Sequence, residues 1–129
     1  MLMVKTEIGS SSHGIGLFAA ENINIGQQVW KFDENSSKII TSTDGMPELF
    51  KQFLKTYAYY VPNIGIIVNL DNSRYMNHSD NPNICEKDDG CNYATRDIKI
   101  GEEITCDYRI FDGSLNYCGS FLNNTNNLK

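Results

Sequence analysis

Apolar positions along this chain come in short runs cut by Gly, Asn and Asp, the spacing of strands and tight turns rather than of long helices. Residues 4–8 alternate and predict a strand that Gly9-Ser10-Ser11-Ser12 ends. Residues 17–20 and 28–32 predict two more, with Asn24-Ile25-Gly26 turning between them. Residues 64–70 are nearly all apolar and predict a further strand. Residues 83–86 and 92–95 flank Lys87-Asp88-Asp89-Gly90-Cys91 and predict a hairpin, because Asp-Gly suits a turn that needs positive φ. Residues 104–108 predict a last strand. One segment has helical spacing: Leu49, Phe50, Phe53, Leu54 and Tyr57 share a face, with Glu48, Lys51, Gln52 and Lys55 opposite. Pro47 stands near its start, where a missing N–H costs nothing. The pattern predicts a mostly β single domain with one amphipathic helix, residues 47–57, near the middle.

A length of 129 residues suits one domain with one core. The net charge of -5 argues against general nucleic-acid binding, which needs clustered Lys and Arg, and is compatible with a basic partner such as a lysine-rich tail. No stretch approaches the roughly 18 consecutive apolar residues of a membrane helix. The first residues carry an early acid and no apolar core, so no signal peptide is expected. Cys85, Cys91, Cys106 and Cys118 include no C-x-x-C pair and are read as reduced thiols in a cytosolic protein. Cys85 and Cys91 flank a turn, and whether they meet is left open by spacing alone. Residues 122–129 read as a polar, frayed tail.

Three segments carry candidate chemistry. His13-Gly14-Ile15-Gly16-Leu17-Phe18-Ala19 contains a Gly-x-Gly that lets backbone approach a ligand, though alone it is more often a tight turn. It also lacks the third glycine and following helix of a dinucleotide site. Arg74-Tyr75-Met76-Asn77-His78-Ser79-Asp80-Asn81-Pro82-Asn83 is dense in hydrogen-bonding groups, and Asn offers both donor and acceptor. A neighbouring His-Ser-Asp run is more often a bonded loop than a triad, whose members come from separate segments. Gly101-Glu102-Glu103-Ile104-Thr105-Cys106-Asp107-Tyr108, taken alone, is a charged turn and a strand.

In this order and spacing the three segments resemble the signature of the SET-domain lysine methyltransferases: G-x-G-x-F-A, then R-F-x-N-H-S-x-x-P-N, then G-E-E-L-T-x-D-Y. Tyr75 stands for Phe and Ile104 for Leu. The resemblance spans roughly residues 5 to 121. Val29-Trp30-Lys31-Phe32-Asp33, Tyr57-Ala58-Tyr59 and Tyr108-Arg109-Ile110-Phe111-Asp112 are further similar to small stand-alone bacterial members. The resemblance implies a β-clip fold of small curved sheets, with a C-terminal pseudoknot that brings the second and third motifs together. Residues 1–121 would then be a single SET domain with a short degenerate post-SET tail. The helix would lie in the variable insert that helps choose the substrate.

The resemblance also implies roles. His13, Gly14, Ile15 and Gly16 match the loop around the methionine end of S-adenosylmethionine, and Asn77 and His78 the pair that holds its amino-acid and adenine parts. Tyr57 is similar to an insert tyrosine that reaches the cofactor. Phe111 is a candidate for packing on the adenine. Tyr59 and Cys106 would line the lysine channel, and Tyr108 matches the catalytic tyrosine. The implied reaction moves methyl to a lysine ε-amine in a protein substrate, a histone or another basic protein, and leaves S-adenosylhomocysteine. Cys106, smaller than the Phe or Tyr common at its position, suggests room for more than one methyl. No direct nucleic-acid or membrane partner is implied. The expected location is cytoplasmic, or a host cell if the source is an intracellular bacterium. No structural zinc is expected. Asp80 follows Asn77-His78-Ser79 where relatives have Cys, and the tail Asn116-Tyr117-Cys118-Gly119-Ser120-Phe121-Leu122-Asn123 keeps one thiol. Two rivals remain: a non-catalytic SET-like module that binds a protein partner, and a metal hydrolase built on His78 and Asp80, which lacks a spaced second His.

Overall fold

The computed structural model describes residues 1–108 of the chain. In chain order its elements are β1 (Thr6–Ser11), β2 (Gly14–Ala19), β3 (Gln28–Trp30), β4 (Ser37–Ile40), α1 (Glu48–Tyr57), β5 (Ala58–Val61), β6 (Gly65–Asn69), a 3-10 helix (Asn72–Tyr75), β7 (Asn77–His78), β8 (Ile84–Glu86), β9 (Asn92–Ala94) and β10 (Thr105–Cys106). They form four small sheets: β1-β2, β3-β9-β8, β4-β6-β5 and the pair β10-β7. The mostly β fold with one α-helix is as expected.

β1 and β2 form a hairpin registered from Thr6↔Ala19 to Ser11↔Gly14. The break expected at residues 9–12 does not occur. The strand runs through Gly9, Ser10 and Ser11, because backbone pairing with β2 outweighs their weak strand preference. Ser12 and His13 make the turn, and Gly14 leaves it at φ +100°. Consequently Gly14-Ile15-Gly16 is strand, not loop.

The hairpin predicted around Asp88–Gly90 is β8-β9, with Gly90 at φ +77°. Cys85 and Cys91 remain separate thiols on either side of it. Three strands, β4, β5 and the two-residue β7, carried no expectation. β4 pairs with β6 from Ser37↔Asn69 to Ile40↔Ile66, and β5 pairs with β6 from Ala58↔Val68 to Val61↔Gly65. The strand predicted at 104–108 is only the two residues of β10.

Two apolar clusters result. One gathers Leu17 and Ile104, from the first and third motifs, with Ile23, Val29, Ile84 and Ile98, all at most 1% exposed. The other packs Leu54 of α1 against Ile40, Ala58, Ile66 and Val68. Only part of the helix's apolar face is used: Leu54 is fully buried, while Leu49 is 80% exposed and Phe50 is exposed.

Candidate active site

The three motifs converge because the last pairs with both others. Ile104 N–H donates to the Leu17 carbonyl at 2.8 Å, and Ala19 N–H to that of Glu102 at 2.9 Å, tying the third motif to β2. β10 lies parallel to β7, with Thr105 opposite Asn77 and Cys106 opposite His78. Parallel neighbours need a crossover, supplied here by the β8-β9 hairpin. Buried Asn83 fixes it: Nδ2 donates to the Glu103 carbonyl at 2.8 Å, and Oδ1 accepts from Thr105 N–H at 2.9 Å. The Asn-Pro-Asn end of the second motif thus works as a staple.

Asn77 joins all three motifs. Its Nδ2 lies 3.2 Å from Ser11 Oγ, 3.0 Å from the Ile15 carbonyl and 2.8 Å from Glu103 Oε2. Gly16 makes that meeting possible, since a Cβ there would sit 2.6 Å from Glu103 Oε2 and 2.9 Å from Ser11 Cβ. At Gly14 a Cβ would meet nothing within 4 Å, so the strand edge beside Asn77 is open. Asn77 Oδ1 accepts no hydrogen bond among the described residues. An open strand edge and an accessible amide oxygen fit the polar amino-acid end of S-adenosylmethionine. Ile15 is exposed on that edge, while His13 lies in the exposed turn with its ring beside Ser12 Oγ.

His78 braces Tyr108. Tyr108 N–H donates to His78 Nδ1 at 3.0 Å, and the two rings lie 5.4 Å apart. Since Nδ1 accepts, the ring proton is assigned to Nε2, which donates to Asp80 Oδ1 at 3.0 Å. His78 and Asp80 thereby act as supports for Tyr108, an arrangement unlike a metal or triad site. No three His, Cys, Asp or Glu side chains among the described residues are grouped to hold a metal ion.

A cavity of about 60 Å³ opens beside Tyr108, and Tyr57, Tyr59, Met76 and Cys106 also line it. Tyr59, Cys106 and Tyr108, the three residues expected near the reacting amine, therefore line one cavity, and Tyr57, expected at the cofactor, lines it with them. Tyr108 Oη donates to the Met76 carbonyl at 2.5 Å. Burial pushes the hydroxyls of Tyr59 and Tyr108 well above the usual tyrosine range, and Cys106 up to about 12. All three remain protonated and uncharged near neutral pH.

Several contributors were not foreseen. Trp30, Asn92 and Ile84 close the cavity from the β3-β9-β8 sheet, and Glu103 anchors Asn77. A signal for Ile84 and Asn92 existed, since both sit at strand ends of the predicted hairpin, but which face looked inward depended on the whole fold. Phe111 and residues 116–123, on which the zinc expectation rests, lie outside the described residues.

Comparison with known proteins agrees with this geometry. A protein of Plasmodium falciparum named "Putative histone-lysine N-methyltransferase 1" is 32% identical over 112 residues, covering 78% of this chain and 2% of that protein. The chain thus spans a small fraction of that relative's length. Among solved structures, the Chaetomium thermophilum polycomb repressive complex 2, autoinhibited and bound to S-adenosylmethionine, matches with a TM-score of 0.62. Identity is 27%, over 88% of this chain and 16% of that one. A crystal structure of a Plasmodium falciparum histone methyltransferase, so named provisionally, matches with a TM-score of 0.56 and 25% identity, over 81% of this chain and 92% of that one. Residues 14–109, which hold β2, the Asn77-His78 pair and Tyr108, match the SET domain family, and this chain belongs to it.

Proposed function

We propose that this chain transfers a methyl group from S-adenosylmethionine to the ε-amine of a lysine in a protein substrate, a histone or another basic protein. The observation that carries this reading is the parallel β7–β10 pair, which brings Asn77 and His78 alongside Thr105 and Cys106, next to the aromatic cavity that Cys106 and Tyr108 line. When bound, the sulfonium donor supplies an already electrophilic methyl. The open edge at Gly14 and Asn77 Oδ1 would hold its amino-acid end. The protein's task is then to deliver a neutral amine in line, at about 3–3.5 Å.

A lysine with an ordinary pKa of about 10.4 enters charged. Walls of uncharged Tyr57, Tyr59, Cys106 and Tyr108 disfavour that charge by desolvation. Tyr108, buried and protonated, acts as a hydrogen-bonding orienter rather than a base. Cys106 is smaller than an aromatic residue, so the cavity has space for a methylated amine and more than one transfer is expected.

Calorimetry with S-adenosylmethionine tests the donor half of this reading. One site per chain is expected. Asn77→Ala should weaken it by roughly 1–3 kcal/mol, because Glu103 and the Ile15 edge lose their anchor. Absence of binding by the wild type, with and without lysine peptides, would contradict it.

A further inference from the structure

Glu86 has no part in the chemistry above, yet its place in the β3-β9-β8 sheet gives it one. Alternation along β8 puts Ile84 and Glu86 on the same face. Glu86 is registered opposite Asn92, and Asn92 opposite Trp30. Trp30, Asn92 and Glu86 therefore form one row across the sheet. Trp30, Asn92 and Ile84 all line the Tyr59–Tyr108 cavity.

That row is polar and incompletely bonded. Asn92 is 4% exposed and Trp30 6%. Asn92 Oδ1 and Trp30 Nε1–H have no hydrogen-bond partner among the described residues. A buried acceptor and a buried donor left unpaired on one cavity wall are costly, and they mark where a polar guest or a bridging water belongs. Glu86 is half-buried at the end of the row. Its carboxyl lies near the cavity rather than on its lining: after burial itself it adds to the rise of Tyr59, and after burial and Asp107 to that of Cys106, while burial and then Asp89 hold Glu86 above the usual carboxylate range. Arg74 lines the cavity too: its Nη1 donates to the Leu70 carbonyl at 3.2 Å and its Nη2 to Tyr75 Oη at 2.9 Å, while its buried Nε has no hydrogen-bond partner among the described residues.

We propose that Glu86 is a positioning residue that draws the cationic head of an entering lysine into the cavity, with Asn92 Oδ1 accepting from it directly or through a water bridged to Trp30 Nε1–H. This rests on the lysine-methylation reading. The carboxylate attracts the charged amine and so favours entry, while opposing loss of its proton. Removing the charge should therefore raise KM for the peptide and leave kcat unchanged or higher.

The test is steady-state methyl transfer by the full chain onto a lysine peptide, comparing wild type with Glu86→Gln and Glu86→Asp. For Glu86→Gln the peptide KM should rise about tenfold, with KM for the donor unchanged. Glu86→Asp, which keeps the charge at shorter reach, should fall between. Direct binding of lysine and norleucine versions of the peptide gives a readout without turnover. The wild type should prefer lysine, and Glu86→Gln should lose that preference while melting at an unchanged temperature. An unchanged KM, a fall in kcat at constant KM, or an intact lysine preference in Glu86→Gln would overturn the proposal. A wild type that methylates no lysine peptide would overturn the methylation reading, and the lysine-versus-norleucine comparison would still decide the role of Glu86.

Discussion

Tyr59, Cys106 and Tyr108 share one physical condition: burial favours their uncharged forms. That condition links the site to stability. Each group's pKa is raised by folding, so above its ordinary value the unfolded chain loses a proton that the folded chain keeps. The stabilisation is complete below the ordinary value and declines as pH rises through the folded one. Cys106, moved from its ordinary 9.0 to about 12, responds first, and the two tyrosines follow above their ordinary 10.0. The melting temperature should hold between pH 7 and 8.5 and fall progressively from about pH 9 upward. Cys106→Ala should delay the onset of that fall to the tyrosine range. A melting temperature flat to pH 11 would contradict the burial assigned to these groups. Glu86, beside the same cavity, shares the direction: burial, then Asp89, raises its carboxyl above the ordinary range.

Among the elements, α1 buries one side chain fully, with Phe53 packed on the same cluster. Leu54 is its fully buried residue and packs on Ile40, Ala58, Ile66 and Val68. Leu54→Ala should cost about 2–5 kcal/mol, whereas Leu49→Ala, at 80% exposure, should cost within about 0.5 kcal/mol. Equal shifts in chemical denaturation would refute the asymmetry. Periodicity made the helix legible, but not how little of its apolar face is covered, which depends on where the β4-β6-β5 sheet ends. The Asp-Gly hairpin was legible because a positive-φ turn leaves a residue signature. β4 was not, since Ser37-Lys38-Ile39-Ile40 has no clean alternation. β5 was hidden because Ala58–Val61 continues the apolar run of α1 without a Gly or Pro between them. The Gly9–Ser12 stretch reads as a break, and pairing with residues three to seven positions on makes Gly9, Ser10 and Ser11 a strand.

On the scale of the whole molecule, the site is a product of long-range pairing. Residues near 16, 77 and 103–108 meet only when β7 and β10 run parallel and Ile104 bonds to Leu17. No local pattern carries that information. It was legible through the resemblance of three ordered motifs; in the structure Tyr59, Cys106 and Tyr108 line one cavity, joined there by Tyr57, which was expected at the cofactor. Trp30, Asn92 and Glu86 stayed hidden because a cross-strand row exists only once the register of three strands is known. The central claim is that this assembled site methylates lysine. Its most direct test is transfer of radiolabelled methyl from S-adenosylmethionine onto core histones and a whole-cell lysate, with mass spectrometry of the labelled bands, by wild type and Tyr108→Phe. The account predicts label on lysine, including more than one methyl per residue at long times, and a loss of about 100-fold or more in turnover for Tyr108→Phe with donor binding retained. No lysine label from the wild type, or equal turnover by both proteins, would contradict it.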